Sequence, residues 1–162
     1  MRAPFQILVI PFRRRAAGPE FALLKRADAR YWQFVAGGGE DEESPVQAAK
    51  RETREEIGIT GEPILLDSMA TVPKEGFAAA ASWDQELYVI PEYCFAIHVT
   101  DSVIALSDEH TEVRWVPYEQ AFRLLKWDSN RNALWELNER LKKEDSEQAP
   151  AAGALSPADD AC

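Results

Sequence analysis

Three glutamates near the middle of the chain have a spacing that favours shared metal chemistry. Glu52, Glu55 and Glu56 are three and four positions apart, so a helix would gather their carboxylates on one side of its last turns. Like charges at this spacing repel, and acids near a helix C-terminus oppose the helix dipole. A cation would offset both effects, and carboxylate oxygens on a rigid helix suit a hard ion such as Mg²⁺. The alternative is a solvated acidic helix face.

The residues around these glutamates predict the helix that must carry them. Ser44 is suited to the N-cap and begins a capping-box spacing with the glutamine three positions later. Pro45 fits the first helical position, and Gly58 is a natural left-handed stop. We therefore expect a helix over Pro45–Ile57, preceded by a tight loop at the glycines 37–39.

The composition predicts one globular domain. The 162 residues are 46% hydrophobic, which is enough for a sizeable core. A net charge of −10 disfavours binding of long nucleic acid, although not of a nucleotide. No apolar stretch is long enough to span a bilayer and the N-terminus lacks a signal-peptide order, so a cytoplasmic location is the default expectation. We expect a domain over residues 1–142 and a disordered tail over 143–162.

Hydrophobic patterns predict strands first and helices later, with one helix inserted after the third strand. The predicted strands cover residues 5–12, 21–25, 32–36, 64–72 and 112–116, and residues 86–100 form either two strands or one bulged strand. The predicted helices cover residues 45–57, 118–126 and 130–141, and residues 73–81 are expected to form a loop. This order predicts an α+β fold, an α/β/α sandwich around a mixed β-sheet.

The stretch 37–59 resembles the Nudix box, the signature of the Nudix hydrolase family. Eight of its fixed positions match, namely Gly37, Glu43, Arg51, Glu52, Glu55, Glu56, Gly58 and the aliphatic Ile59. Thr53 departs from the pattern, because the family usually has a bulky aliphatic residue there. Threonine is β-branched, so we expect it to pack in the core without changing the chemistry. The resemblance implies a Nudix-type sandwich fold.

The resemblance also implies a reaction, the hydrolysis of a nucleoside diphosphate linked to another group. The resemblance implies that Glu52, Glu55 and Glu56 are catalytic metal ligands. The implied cation is Mg²⁺, and Mn²⁺ is the alternative. Such an ion would bridge phosphate oxygens and lower the pKa of the attacking water. Arg51 and Glu43 are expected to pair and to hold the loop against the helix.

Residues outside the box resemble, more narrowly, the dihydroneopterin triphosphate pyrophosphatase group, also called dATP pyrophosphohydrolases. The similar motifs are Trp32-Gln33-Phe34-Val35, Gln47-Ala48-Ala49, Glu109-His110 before Trp115, and Trp127-Asp128-Ser129-Asn130-Arg131. In that group a glutamate before the last strand completes the metal site, and Glu109 matches it as a fourth catalytic ligand. The adjoining His110 either belongs to the site or is an exposed loop residue. The implied substrate is a nucleoside or pterin triphosphate, cleaved to the monophosphate and pyrophosphate.

Five further residues are candidates for binding this substrate. Lys25 and Arg26 close a predicted strand and could bind phosphates, although basic residues at strand ends are also commonly solvated. Trp32 is large enough to stack on a pterin or purine ring, or it belongs to the core. Asn130 and Arg131 open the last helix, and their substrate role rests on the resemblance alone.

Two other functions remain compatible with the sequence. A Nudix hydrolase of another specificity, for dNTPs in general or for nucleotide sugars, would keep the box and change the substrate pocket. A sensor that binds nucleotides without hydrolysis would show the loss of box glutamates, and none is missing here. The expected partner is a small molecule rather than long nucleic acid or a membrane, and the oligomeric state stays open.

Overall fold

The computed structural model describes residues 1–100 and 103–149. The strands in these residues are β1 (Arg2–Arg15), β2 (Gly18–Arg26), β3 (Trp32–Gln33), β4 (Val35–Glu40), β5 (Ile64–Pro73), β6 (Val89–His98) and β7 (His110–Val116). The helices are α1 (Pro45–Ile57), α2 (Tyr118–Leu124) and α3 (Asp128–Gln148), with two short 3₁₀ turns at Lys74–Gly76 and Ala78–Ser82. None of these described helices is both long and apolar enough to cross a membrane.

All of these strands join one mixed sheet. The strand order is β3-β2-β1-β6-β5, with β4 also paired to β1 and β7 to β2. Strand β1 runs parallel to β6 and antiparallel to β2 and β4. The predicted α+β fold with a mixed sheet is therefore confirmed. The long central strand β1 is what brings the glycines of β4 close to β6.

Alternate residues of the central strands supply two separate cores, because successive side chains of a strand face opposite sides. On one side, Ile7 and Val9 pack with Ala49 and its neighbours on α1. On the other side, Leu8 and Ile10 pack with the apolar residues of α3. The sheet thus lies between helices, which confirms the predicted α/β/α sandwich. We name its two sides the α1 face and the α3 face.

Helix α1 begins and ends where the sequence predicts. The hydroxyl of Ser44 accepts from the backbone N–H of Gln47, and the Gln47 side chain accepts from the N–H of Ser44 at 2.8 Å. Gly58 has a φ of 70° and caps the last turn. Thr53 is fully buried, and its hydroxyl donates to the carbonyl oxygen of Ala49 at 2.7 Å. Thr53, the residue that departs from the Nudix box, therefore has a hydrogen-bond partner for its hydroxyl within the helix itself.

The glycines 37–39 lie in strand β4, so the predicted loop is wrong at these positions. Gly37 and Gly38 pair with Ile7 and Gln6 of β1, and none of the three glycines has a positive φ. The space that a Cβ would need is filled at each position by another side chain, by Glu52 at Gly37, by Arg2 at Gly38 and by Phe5 at Gly39. Glycine is required here because side chains cross the strand closely, and no turn requires it.

The stretch 86–100 contains one strand, β6, whereas the sequence was compatible with either two strands or one bulged strand. The strand begins at Val89 and continues through Pro91, which is the partner of Thr71 in β5. The preceding stretch 73–81, predicted as a loop, contains the two 3₁₀ turns.

Helix α3 is longer than predicted, because it continues to Gln148. Its last turns are held by Arg14 of β1, whose guanidinium forms ion pairs with Glu144 and Asp145. The predicted disorder is therefore wrong for residues 143–148. The rest of the predicted tail, residues 150–162, lies outside the described residues.

Candidate active site

The three carboxylates of α1 run from solvent into the interior. The Glu55 side chain is 52% exposed, that of Glu52 is 15% exposed, and that of Glu56 is only 3% exposed. Helical spacing causes this gradient, because it turns Glu56 toward the sheet and Glu55 toward solvent. The cluster is therefore a partly buried site and not a solvated face.

Arg51 connects this cluster to strand β4. Its side chain is only 16% exposed, and one guanidinium reaches the box acids and the glycine strand together. The hydrogen bonds run to Glu43 Oε1 at 2.9 Å and Oε2 at 3.0 Å, Gly38 O at 2.8 Å, Glu52 Oε1 at 3.0 Å and Glu55 Oε2 at 3.1 Å. The predicted pairing of Arg51 with Glu43 is confirmed, and it lowers the pKa of the Glu43 carboxyl. Arg51 thus orients two of the proposed metal ligands.

Glu56 is the deepest acid of the cluster. Its Oε1 accepts from the backbone N–H of Ala36 at 3.4 Å, while Oε2 has no hydrogen-bond partner in the part of the chain that the structure describes. Burial, followed by the charges of Glu52 and Glu109, raises its pKa to about 9. Burial also raises the pKa of Glu52, against the opposing effect of Arg51. These acids are thus close enough to repel one another.

Glu109 reaches the site from the turn before β7. Its backbone carbonyl accepts from the N–H of Ala27 at 2.9 Å, and its carboxylate lies 3.5 Å from the Arg26 guanidinium. Arg26 also forms a bidentate pair with Asp28, at 2.6 and 2.9 Å. The structure therefore brings Glu109 and Arg26, two of the predicted site residues, to the acids of α1.

His110 lies beside Glu56 and is buried, which decides one alternative that the sequence left open. Its Nε2 is 3.6 Å from Glu56 Oε2, and its side chain is inaccessible to solvent. Burial, followed by the charge of Arg26, lowers its pKa to about 4. Neither ring nitrogen, nor the nearby hydroxyl of Ser107, has a hydrogen-bond partner among the described residues. His110 is therefore part of the site's inner wall.

The residues of this site fit a hard divalent cation. In residues 1–100 and 103–149, no three His, Cys, Asp or Glu side chains are gathered closely enough to hold a metal as they stand. The fit rests on the buried Glu56 Oε2, which lacks a donor in these residues, and on the mutual repulsion of Glu52, Glu56 and Glu109. Carboxylate oxygens are the ligands that Mg²⁺ prefers.

Lys25 and Trp32 lie together at the other face of the sheet. Trp32 is 9% exposed and belongs to the core on the α3 face. The Arg114 guanidinium lies 4.7 Å from the centre of its ring, and Lys25 Nζ lies 5.7 Å from it. Lys25 also approaches Glu112 at 3.9 Å. The structure therefore does not bring these two residues to the acids of α1.

Asn130 and Arg131 are engaged in contacts within the fold. Asn130 is 3% exposed, and its Oδ1 accepts from the N–H of Phe34 at 3.1 Å. Arg131 donates to the carbonyl oxygens of Phe122 at 3.1 Å and Leu125 at 2.5 Å, at the end of α2. These contacts fix the start of α3 against the sheet, and a substrate role for either residue stays a prediction.

Comparison with known families decides what this arrangement is. Residues 4–137 match the NUDIX domain. The chain belongs to the Nudix hydrolase family. The acids of α1, the arginine among them and the glycine strand are thus the Nudix box in its folded form.

Three relatives illustrate how this Nudix hydrolase compares with known proteins. The solved structure of a protein described as a NUDIX hydrolase from Listeria monocytogenes is 51% identical in sequence and has a TM-score of 0.79. The match covers 88% of this chain and 97% of that protein's chain. Dihydroneopterin triphosphate diphosphatase from Escherichia coli K12 is 29% identical over 82% of this chain and 91% of its own. Octanoyltransferase from Myxococcus xanthus is 32% identical over 74% of this chain, which spans only 33% of that protein. These relatives support the hydrolase family, with a weak link to the dihydroneopterin triphosphate group.

Two residues near the Nudix box were missed at the sequence level. Arg2 lies across Gly38 and donates to the side chain of Gln6 at 2.5 Å. Glu92 lies in β6 and is 7% exposed. Nothing in the sequence around Arg2 predicts that this arginine lies near the Nudix box. A glutamate inside the apolar strand β6 is such a signal, because charged residues are rarely buried without a reason.

Proposed function

We propose that this Nudix hydrolase is a Mg²⁺-dependent pyrophosphohydrolase that cleaves a nucleoside or pterin triphosphate to the monophosphate and pyrophosphate. Mn²⁺ is the alternative metal. A water oxygen forms a bond to phosphorus, the bond to a bridging oxygen breaks, and pyrophosphate leaves. The observation that carries the proposal is the buried Glu56 carboxyl beside Glu52 and Glu109, with no donor to its Oε2 among the described residues.

In this proposal the acids hold the cation and Arg51 orients two of them. Glu52, Glu55, Glu56 and Glu109 supply the carboxylate oxygens. When bound, the ion offsets the phosphate charge and lowers the pKa of the attacking water. Arg51 fixes Glu52 and Glu55 through its hydrogen bonds at 3.0 and 3.1 Å. A carboxylate of this set accepts the proton of the water.

The basic and aromatic candidates would bind the rest of the substrate. Arg26 lies 3.5 Å from Glu109, which supports a role in binding phosphate at the metal. Lys25 and Trp32 are on the α3 face, so they would contact a more distant part of the ligand. Asn130 and Arg131 are proposed as contacts only through the similarity to the dihydroneopterin triphosphate group.

The substrate class rests on two observations from the relatives and the site. The Escherichia coli relative named for dihydroneopterin triphosphate covers 82% of this chain. The Glu109-His110 pair, which carries the narrower resemblance, lies against the acids of α1, with His110 3.6 Å from Glu56. Both favour a triphosphate over a nucleotide sugar.

The proposal is tested by product analysis on a substrate panel with Mg²⁺. The panel contains dihydroneopterin triphosphate, the four dNTPs and a nucleotide sugar, with an EDTA-treated sample as control. We expect pyrophosphate and the monophosphate from at least one triphosphate, and no product with EDTA. Cleavage of the nucleotide sugar alone would favour the other Nudix specificity. Metal-dependent binding without turnover of any compound would favour a sensor.

A further inference from the structure

Glu92 is a buried carboxyl that the fold does not satisfy. It lies in β6 and is 7% exposed, and its Oε1 has no hydrogen-bond partner among residues 1–100 and 103–149. Burial raises its pKa, and the hydroxyl of Ser129, in the first turn of α3, opposes this rise. A buried carboxyl without partners is costly, so such a group often serves a ligand.

The sheet places Glu92 in line with the glycine strand. Gln6 of β1 is the pairing partner of both Gly38 in β4 and Glu92 in β6. The three residues therefore form a row on the α3 face, and Glu92 is two strand spacings, or about 10 Å, from Gly38. Gly37, the neighbour of Gly38, is the residue over which Glu52 packs. A ligand with phosphates at Glu52 could thus extend around the glycine strand toward Glu92.

Polar and aromatic groups lie along this path. The Arg2 side chain covers Gly38, donates to Gln6 at 2.5 Å and lies 5.4 Å from the centre of the Phe77 ring. The backbone carbonyl of Arg2 accepts from Trp83 Nε1 at 2.7 Å. Two aromatic rings therefore lie beside Arg2, the side chain that covers Gly38 in this row. This combination suits a flat, nitrogen-rich ring.

We propose that Glu92 is a specificity residue that accepts hydrogen bonds from the exocyclic amino group and the adjacent ring N–H of a guanine-type purine or a pterin. The inference rests on the proposed triphosphate hydrolysis and names its ring class. The two carboxylate oxygens accept from these two neighbouring donors on the ring edge, and Ser129 lies close enough to Glu92 to oppose the rise of its pKa. Rings without an amino group leave Glu92 unsatisfied, so the site discriminates against them.

The experiment compares rings with and without the amino group. KM and kcat are measured for dGTP and dihydroneopterin triphosphate, which present an amino group beside a ring N–H, and for dATP, dITP and dTTP, which do not. We expect Glu92→Gln to raise KM for the best amino-bearing ring by about 10-fold or more, with kcat within about threefold and little change for dITP. The purine and pterin arms identify which ring is the natural one.

Three controls separate this inference from folding and from the proposed function. Glu92→Asp keeps the charge, and we expect a smaller loss of the same selectivity. Glu136→Gln changes another partly buried acid of the α3 face and should leave selectivity unchanged. If the parent hydrolyses no triphosphate, the proposed function fails, and the same ring comparison is then made by calorimetric binding of dGTP and dITP. Equal effects of Glu92→Gln on amino-bearing and amino-free rings, in turnover or in binding, would overturn the role of Glu92.

Discussion

Two buried carboxylates on opposite faces of the sheet show how a site differs from a structural contact. Glu136 of α3 accepts from the backbone N–H groups of Asp67 and Ser68, both at 2.7 Å, and pairs with Arg140 at 2.6 Å. Burial alone would raise its pKa, but these contacts lower it. Glu56 is more deeply buried, and its Oε2 receives no donor from the described residues.

The difference indicates what each carboxylate is for. The contacts of Glu136 complete the packing of α3 on β5, so its partners are all within the fold. Glu56 faces Glu52, Glu109 and His110, which leave it without a positive partner among the described residues. A buried carboxyl of this kind is costly by itself, and a bound cation removes that cost.

The largest expected effect is on activity. Glu56→Gln keeps the shape and removes the charge, so we expect kcat/KM to fall by about 10³-fold. The free energy of unfolding should stay the same or rise, because a costly buried carboxyl is removed. Glu136→Gln is the matched control, with activity within about threefold and unfolding free energy lower by about 2 kcal/mol. Similar losses of activity in the two variants would abolish the distinction.

A second effect should follow from filling the space at Gly37. In Gly37→Ala the new Cβ overlaps the Glu52 side chain, so that carboxylate must leave its observed position. We expect kcat/KM to fall by about 10²-fold, because small displacements of catalytic groups are costly. Gly76→Ala is the control, since nothing lies within 4 Å of its Cβ position. If both variants kept full activity, Glu52 would not need its observed position.

A smaller effect is expected in the pH dependence of stability without metal. The folded pKa of Glu56, about 9, lies above its ordinary value of 4.5, so its protonated form stabilises the fold. That contribution is complete below pH 4.5 and is lost as the pH rises toward 9. The pKa of His110 is lowered to about 4 from 6.5, so its contribution is lost instead as the pH falls below 6.5. Between pH 6.5 and 9, comparison with Glu56→Gln therefore separates Glu56 from His110 and from Glu52 and Glu92, whose pKa values burial also raises.

In that window, chemical unfolding with EDTA present gives the measurement. We expect the unfolding free energy to decrease with pH more steeply in the parent than in Glu56→Gln, by at most about 1.4 kcal/mol per pH unit for the one proton of Glu56. The pKa of Glu136 is lowered, so its contribution is lost only at acid pH and does not enter this range. Identical slopes in the parent and in Glu56→Gln would mean that Glu56 is not held protonated by burial.

The parts of the fold set by local rules could be predicted from the sequence. The capping box at Ser44, the stop at Gly58 and the spacing of the glutamates act within a few residues, and α1 forms with the predicted bounds. The strand order, by contrast, depends on pairings between distant residues. The parallel contact of β1 with β6 is an example, and the sequence predicted only that the sheet is mixed.

The roles of single residues were harder to predict where a partner from elsewhere decides them. The glycines 37–39 suggested a loop because their backbone freedom is the usual reason for glycine, whereas the side chains that cross them come from β1 and α1. The ion pairs of Arg14 with the end of α3 likewise hold a polar segment that composition alone marks as disordered. The burial of His110 depends on how β7 packs against the rest of the fold, and no pattern in the sequence predicts it.

The most direct test is calorimetric titration of Mg²⁺ into the metal-free protein at pH 7.5, in buffers of different ionisation enthalpy. Because the Glu56 carboxyl has a pKa of about 9, it must lose its proton to hold the ion. We predict the release of about one proton for each ion bound by the parent, and weaker binding without that release in Glu56→Gln. Equal affinity in both proteins with no proton release would contradict the account.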